Sequence, residues 1–534
     1  MKLLFFCSKQ FKGNLFFLLA FFILSLMVNI VEVVVPLFTG NFVDRLSINP
    51  QMSVINQYCF ALAASTIISI LFNAFTNLLY ARLQLRSAFS LNKYLLKVIH
   101  NKSMLSFIGK DMAALNQQVN TDVNTIIIFF LGFIRDFFSN ILISILLIGL
   151  CLYFNIKVTI CCLLTASLFI ILFVVTKPYL YKLNLAMKDS QTIFFGKLFE
   201  QIENLSFIKE NGISRWFLNR LDGPYKNLQE STMDEQKFLM LLSGIEAFIS
   251  LLVQLTLLML GGREILAARF SLGLYVVFSA YLSMLIVRFR YFLNFGKSYQ
   301  SAMTSYTRLE HILQLPNENC GKQQIDSLSN IKIINLSFSF GPREVFSQLS
   351  FLLKRGYIYC LSGDNGSGKT TFLRILDGLY SCSIKRNTIF YNGIDIVDLC
   401  MGKFRGTAVV MVSQNPYVFS GTFKDNLLFQ EEIDWNFDYL TYLLSGFSLP
   451  FKLNDTINID KLSGGEKQKI AIIRALMRDG SLLLLDEPTS ALDKESSDFL
   501  LYELGRIKKD KIIVISTHDK QLLENSDYII PFHA

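Results

Sequence analysis

Charge is scarce in this sequence. Asp, Glu, Lys and Arg make up 17 % of its 534 residues, against about 25 % in soluble domains. The deficit is uneven, with long apolar runs through roughly the first 300 residues and a soluble-looking composition after them. That excludes a wholly water-soluble protein and points to a membrane domain followed by a soluble one. Paired cysteines are also missing. The nine Cys are scattered, none forms a C-x-x-C, and no His stands at metal-ligand spacing. Neither a disulfide framework nor a zinc site is therefore expected. Low-complexity segments and short repeats are absent as well, so the fold is not read as a repeat array. The formal charge of +9 has the sign of a nucleic-acid binder. Much of the Lys and Arg, however, lies in loops between apolar runs, where membrane topology accounts for it and no nucleic-acid partner is needed.

What is abundant is apolar length. Lys2, Lys9 and Lys12 precede a run from Leu15 to Leu37. This run exceeds the apolar core of about 7–15 residues of a signal peptide, so it reads as a retained membrane helix. Further spans are expected at 54–79, 137–154, 158–175, 241–260 and 272–287, six in all, each near the ~20 residues that cross hydrocarbon. Two long loops carry most of the positive charge of the first 300 residues: Arg82, Arg86, Lys93, Lys97, Lys102 and Lys110 in the first, Lys177 to Lys237 in the second. The other side has only Arg45, Lys157, Arg263 and Arg269. Positive-inside logic puts the termini and both long loops in the cytosol. Apolar residues at three and four (Leu198, Ile202, Leu205, Ile208) make these loops helical. Among polar residues in or beside the spans, Arg135, Asp136, Arg288 and Arg290 read as interfacial snorkellers. Glu32 and Glu246 fit equally a lining of the transport path or an ion pair. Residues 301–315 read as a helix and 316–330 as a linker, after which 331–534 form an α/β domain.

The chemistry lies in that last domain. Gly363-Asp364-Asn365-Gly366-Ser367-Gly368-Lys369-Thr370 fits G-x-x-x-x-G-K-[ST] between an apolar strand (357–361) and a helix beginning at Thr371. Its backbone N–H groups would wrap phosphates, Lys369 adds a point charge and Thr370 a Mg²⁺ ligand. The apolar strand 481–485 delivers Asp486 and Glu487 at its carboxyl end, and the strand 511–516 does the same for His518. Asp486 suits the Mg²⁺ shell and Glu487 the general base or water-orienting group. His518 suits a sensor of the γ-phosphate. Ser463-Gly464-Gly465-Glu466 opens a helix to about Arg478 and is a second phosphate-binding device. One chain needs one phosphate loop per nucleotide, so a second device suggests that two chains share each ATP.

With those residues in that order, 331–534 resembles the nucleotide-binding domain of an ABC transporter. Gly363 to Thr370 resembles the Walker A loop, with Thr371 following, and Gln414 the Q-loop glutamine. Leu462 to Glu466 resembles the signature, Leu482 to Asp486 the Walker B strand, Ser490 to Asp493 the D-loop and His518 the switch histidine. Phe340 matches the aromatic that stacks on adenine. The six spans with two long loops resemble the exporter branch, and Glu200 to Lys209, more weakly, its second coupling segment. The resemblance implies an all-α six-helix transmembrane domain fused to an ABC-type P-loop ATPase, with ATP and Mg²⁺ as ligands. Thr370, Gln414 and Asp486 would serve the metal and Glu487, His518 and Gln414 the catalysis. It further implies a dimer, of identical or related half-transporters, with ATP between Walker A of one chain and the signature and Asp493 of the other.

Departures are Glu466 where many exporters have Gln, Phe340 where many have Tyr, and the lack of a Gly- and Glu-rich loop in 454–461. The chain also stops soon after Ile530 without the usual trailing helices, and Cys7 comes too early for a fused cysteine-peptidase domain. The expected function is ATP-driven export across a bacterial cytoplasmic membrane, with a peptide, a lipid or a hydrophobic small molecule as cargo. An ATP-gated regulator or channel that does not pump is the alternative. An importer is disfavoured by the fused layout.

Overall fold

The computed structural model describes the chain except residues 1, 49, 50, 111, 319, 320, 428–435, 451, 459, 460, 533 and 534. Asn319 and Cys320 of the expected linker, and Ile459 and Asp460 of the stretch before the signature, lie outside the described residues. Two compact units form: Met1–Leu96 with Ala113–Leu313, and Lys97–Met112 with Gln314–Ala534.

The described residues of the first unit are almost all helical. Among the described residues, five helices are long and apolar enough to cross a membrane: Leu15–Ile48, Met52–His100, Val119–Phe154, Ser214–Leu266 and Leu272–Phe292. The interval 158–175, expected as a further span, is covered by two helices, Ile156–Ala166 and Leu168–Glu203. Their junction at Ser167 keeps its ladder, since Ser167 N donates to Leu163 O at 2.9 Å and Ser167 Oγ to Leu164 O at 2.6 Å. The long loops are largely continuations of the spans. Ser214–Leu266 holds 53 residues, about 80 Å at 1.5 Å per residue, far beyond the ~30 Å of hydrocarbon.

Packing in this unit relies on close backbone approach. A Cβ on Gly40 would sit 2.7 Å from Gly273 O, and one on Gly273 would sit 2.1 Å from Gly40 O. Glycine at these two positions lets the helices touch, as small residues do in membranes. Asp44 then accepts from Gly273 N and from Ser271 Oγ, each at 2.7 Å, placing a carboxylate at a helix N-terminus where the dipole favours it.

Arg288 differs from the snorkelling expectation. It is only 7 % exposed and donates to Asn140 Oδ1 (2.7 Å) and Asn29 Oδ1 (3.1 Å), with Glu32 at 3.8 Å. Acceptors from two other helices hold its Nη1 where it stands, as a buried charge requires. Arg290 pairs with the buried Glu246 at 2.8 Å, and Arg135 with Asp136 at 2.6 Å.

The second unit is α/β. Its main sheet is parallel, in the order β11 (Tyr528–Pro531), β3 (Ile358–Ser362), β10 (Ile512–Ser516), β9 (Leu482–Asp486), β6 (Val409–Val412). β9 and β10 are buried at every position, the continuous apolar run of a strand covered on both faces. A second, antiparallel sheet runs β2 (Arg343–Lys354), β1 (Asn330–Phe340), β4 (Ile389–Tyr391), β5 (Ile394–Asp395). A two-stranded pair joins β7 (Gly421–Thr422) to β8 (Thr456–Ile457). Residues 97–112 belong to this unit. Lys102 is buried and donates to Leu315 O (2.7 Å) and Asn317 Oδ1 (2.8 Å), and Leu105 packs on the core beneath the antiparallel sheet.

Candidate functional site

The site is assembled at the carboxyl ends of the parallel strands, where open α/β sheets bind ligands. β3 leads into the glycine-rich loop, and the following helix, Lys369–Leu376, starts at Gly368 in the left-handed conformation (φ 95°). Gly366 is left-handed too (φ 87°), with open space where its Cβ would be. At Gly368 a Cβ would lie 2.7 Å from Val345 Cγ1, so the loop needs glycine there for conformation and for room.

Parallel pairing of β9 with β10 sets Asp486 level with Ser516, bringing the predicted residues together. Thr370 Oγ1 donates to Asp486 Oδ1 at 3.1 Å. Lys369 Nζ donates to the Gly363 carbonyl and to Asp364 O at 3.0 Å, and lies 3.1 Å from His518 Nε2. Gln414 Nε2 donates to Glu487 Oε2 at 2.8 Å. Burial pushes the Asp486 carboxyl up, opposed by hydrogen bonds from Thr370 and Ser516. Phe340, at the end of β1, lines the same cavity of about 560 Å³ as Asn365 to Thr371, Gln414 and Glu487. Phe340 stands edge-on to Tyr380 at 5.7 Å.

Glu487 holds a left-handed backbone (φ 47°). Its N–H donates to Ser516 O at 2.8 Å, and its carbonyl accepts from Ser490 Oγ at 3.0 Å. Such strain in a non-glycine residue clusters at functional sites. Ser516, Arg343 and Glu344 also line this cavity and are not among the site residues expected from the sequence. For Arg343 and Glu344 the available signal was their place just after Phe340 in a hairpin.

Ser463 to Glu466 and Asp493 do not line that cavity. Ser463 N-caps the Gly464–Leu476 helix in a capping box: its Oγ accepts from Glu466 N at 3.2 Å, and Glu466 Oε2 accepts from Ser463 N at 2.8 Å. The Glu466 side chain thus serves the helix end. Gly465 is pinned to the D-loop, since a Cβ would lie 2.6 Å from Ala491 O. Asp493 caps the next helix and takes a hydrogen bond from Lys469 at 2.5 Å, which holds its carboxyl below the usual carboxylate range.

The donor set fits a magnesium nucleotide. A hydroxyl and a buried carboxylate meet at 3.1 Å, Ser367 Oγ is buried with no hydrogen-bond partner among the described residues, and the lysine is held by its own loop and a histidine. A phosphate-loop ATPase domain on a chain with membrane-spanning helices is the class this defines. The ABC transporter transmembrane-region model matches residues 18–289, more than half of the chain, and the ABC transporter ATPase model matches 346–490. The chain belongs to the ABC transporter family, with membrane and ATPase domains in one polypeptide as in exporter-type half-transporters.

Relatives include the lactococcin-A transport/processing ATP-binding protein of Lactococcus lactis subsp. lactis, 26 % identical over 70 % of this chain and 54 % of its own length. An ATP-dependent lipid A-core flippase of Desulfotalea psychrophila is 24 % identical over 82 % of this chain and 76 % of its own. The chain spans about half the length of the lactococcin transporter it matches. A bacterial Atm1-family ABC exporter solved with ATP bound shares the fold, with TM-score 0.85, 17 % identity and coverage of 98 % and 94 % of the two chains.

Proposed function

We propose that this chain is an ATP-driven exporter, working as a dimer with a second copy or a related half-transporter in a bacterial cytoplasmic membrane. The loop charge supports an orientation with the N-terminus and ATPase domain in the cytosol. The observation that carries the reading is a cluster at one site: Lys369, Thr370, Gln414 and Glu487 line one cavity, with Asp486 bonded to Thr370, His518 beside Lys369, and Gln414 bonded to Glu487. A switch that only bound ATP would not need the last three.

Lys369 would leave its loop carbonyls for the β- and γ-phosphates, and Phe340 would stack on the adenine. Thr370, Asp486 and Gln414 would hold Mg²⁺, which supplies charge neutralisation when bound. Gln414 would release Glu487, whose carboxylate takes the proton of the attacking water. His518 would move from Lys369 to the terminal phosphate. Ser463, Gly464 and Gly465, outside this cavity, would meet the nucleotide of the partner chain, and Asp493 would border it. Nucleotide that binds the closed pair more tightly than the open one shifts the membrane domain between its two access states.

The relatives' names point to peptide and lipid cargo, so an amphiphilic peptide, a lipid or a hydrophobic small molecule is the class to test. The experiment is ATP turnover of the full chain in nanodiscs against a panel of peptides, lipids and hydrophobic drugs, followed by ATP-dependent uptake of the stimulating compound into inverted vesicles. Stimulation without directional movement would overturn export.

A further inference from the structure

Within the membrane unit lies a cavity of about 420 Å³ walled by Tyr80, Phe129, Phe133, Tyr291 and Phe295, with Arg135 and Asp136 in the wall. Three observations single it out. The backbone there departs from α-helix: Phe133–Phe137 forms a π-helical turn, a rare conformation that tends to occur at functional sites. The turn carries a half-buried ion pair inside a candidate span, and ionisable groups within spans tend to face a cavity and mark functional sites. Third, the pair is arranged as a cation site. Arg135 Nε and Nη2 donate to the two oxygens of Asp136 at 2.6 and 3.1 Å, while the guanidinium lies 5.5 Å from the Tyr80 ring centroid.

A ring face with a carboxylate beside it is the environment that attracts an organic cation. Here the chain supplies that cation from the residue next to the carboxylate. The wall has more aromatic surface than the contact of Arg135 with Tyr80 uses, since Phe133 packs with Phe129 at 6.2 Å and with Phe295 at 5.9 Å. An anion would face the negative faces of these rings and would have to detach Arg135 from Asp136. A cation can share Asp136 and replace Arg135 on the ring.

We propose that this cavity binds amphipathic cations, an ammonium or guanidinium on an apolar or aromatic body, with Asp136 as the counter-charge and Arg135 as a tethered competitor. Calling such a ligand cargo rests on the export reading; the binding does not.

The test is equilibrium dialysis of tetraphenylphosphonium against the full chain in nanodiscs, with tetraphenylborate as the shape-matched anion and empty nanodiscs subtracted. Saturable binding of the cation and none of the anion is expected. Asp136→Asn should weaken cation binding about tenfold or more, and Arg135→Gln should tighten it several-fold (roughly 2–10). The opposite signs matter, because misfolding cannot raise an affinity. Equal weakening by both substitutions, equal binding of the anion, or no signal above empty discs would overturn the proposal. Competition by a Phe- and Arg-rich peptide, compared with its Arg→Gln form, separates the sources. Displacement by the Arg form alone assigns the site to peptide side chains, and displacement by neither assigns it to free organic cations. A cation that binds here without stimulating ATP turnover would count against export and leave the site standing.

Discussion

Replacing Glu487 by Gly and by Ala separates its two properties, a carboxylate and a strained backbone. Either change removes the carboxylate and the hydrogen bond from Gln414. They differ only in Cβ, and at φ 47° a Cβ costs an L-residue about 1–2 kcal/mol. Glycine gives back roughly 0.5–1 kcal/mol through its freer unfolded chain. The Gly variant should therefore be the more stable of the two by about 0.5–1 kcal/mol. For an ATPase domain of this size that is roughly 1–4 °C in Tm, readable by scanning calorimetry of the full chain in nanodiscs. ATP turnover should fall alike in the two variants, about 10²–10⁴-fold, the usual contribution of a general base. An Ala variant that melts at or above the Gly variant would refute stored strain at this strand end, and unequal turnover would refute the separation of strain from chemistry.

Other outcomes follow from the same geometry. Asp377, at the end of the phosphate-loop helix, is pushed up to about 7 by burial, with Arg405, Glu318, Arg478 and Tyr391 around it. Because the folded form holds this proton more tightly than the unfolded one, stability should decline as pH rises from about 4 to about 7 and level off above, by at most about 4 kcal/mol. Asp377→Asn should flatten that decline in Tm measured against pH. Ser463→Ala removes the capping box and should lower ATPase-domain stability by about 1 kcal/mol, seen as a lower Tm. Lys102→Met leaves Leu315 O and Asn317 Oδ1 without their buried donor, at about 1–3 kcal/mol. Protease cleavage near residue 316 should speed up in that variant.

The nucleotide site was legible because its physics is local. Buried parallel strands are unbroken apolar runs, and what stands at their carboxyl ends (Asp486, His518) is where ligands bind. The loop after β3 needs glycine and lysine at fixed spacing. The antiparallel sheet was less legible, since the pairing of β1 with β4 depends on contacts far along the chain. The same holds for the membrane polar groups. Arg288 reads as a snorkeller from its position, but Asn29 and Asn140, on other helices, keep it buried. Glu246 finds Arg290 in the same way. The π-turn at Phe133–Phe137 has no sequence period of its own. The role of Glu466 became clear only once its side chain was seen returning to Ser463.

The most direct test of the account is steady-state ATP hydrolysis by the full chain in nanodiscs, wild type against Glu487→Gln, with bound nucleotide quantified in each. The account predicts measurable turnover in the wild type, falling about 10²–10⁴-fold in the variant while ATP stays bound. Turnover that Glu487→Gln leaves unchanged would contradict it.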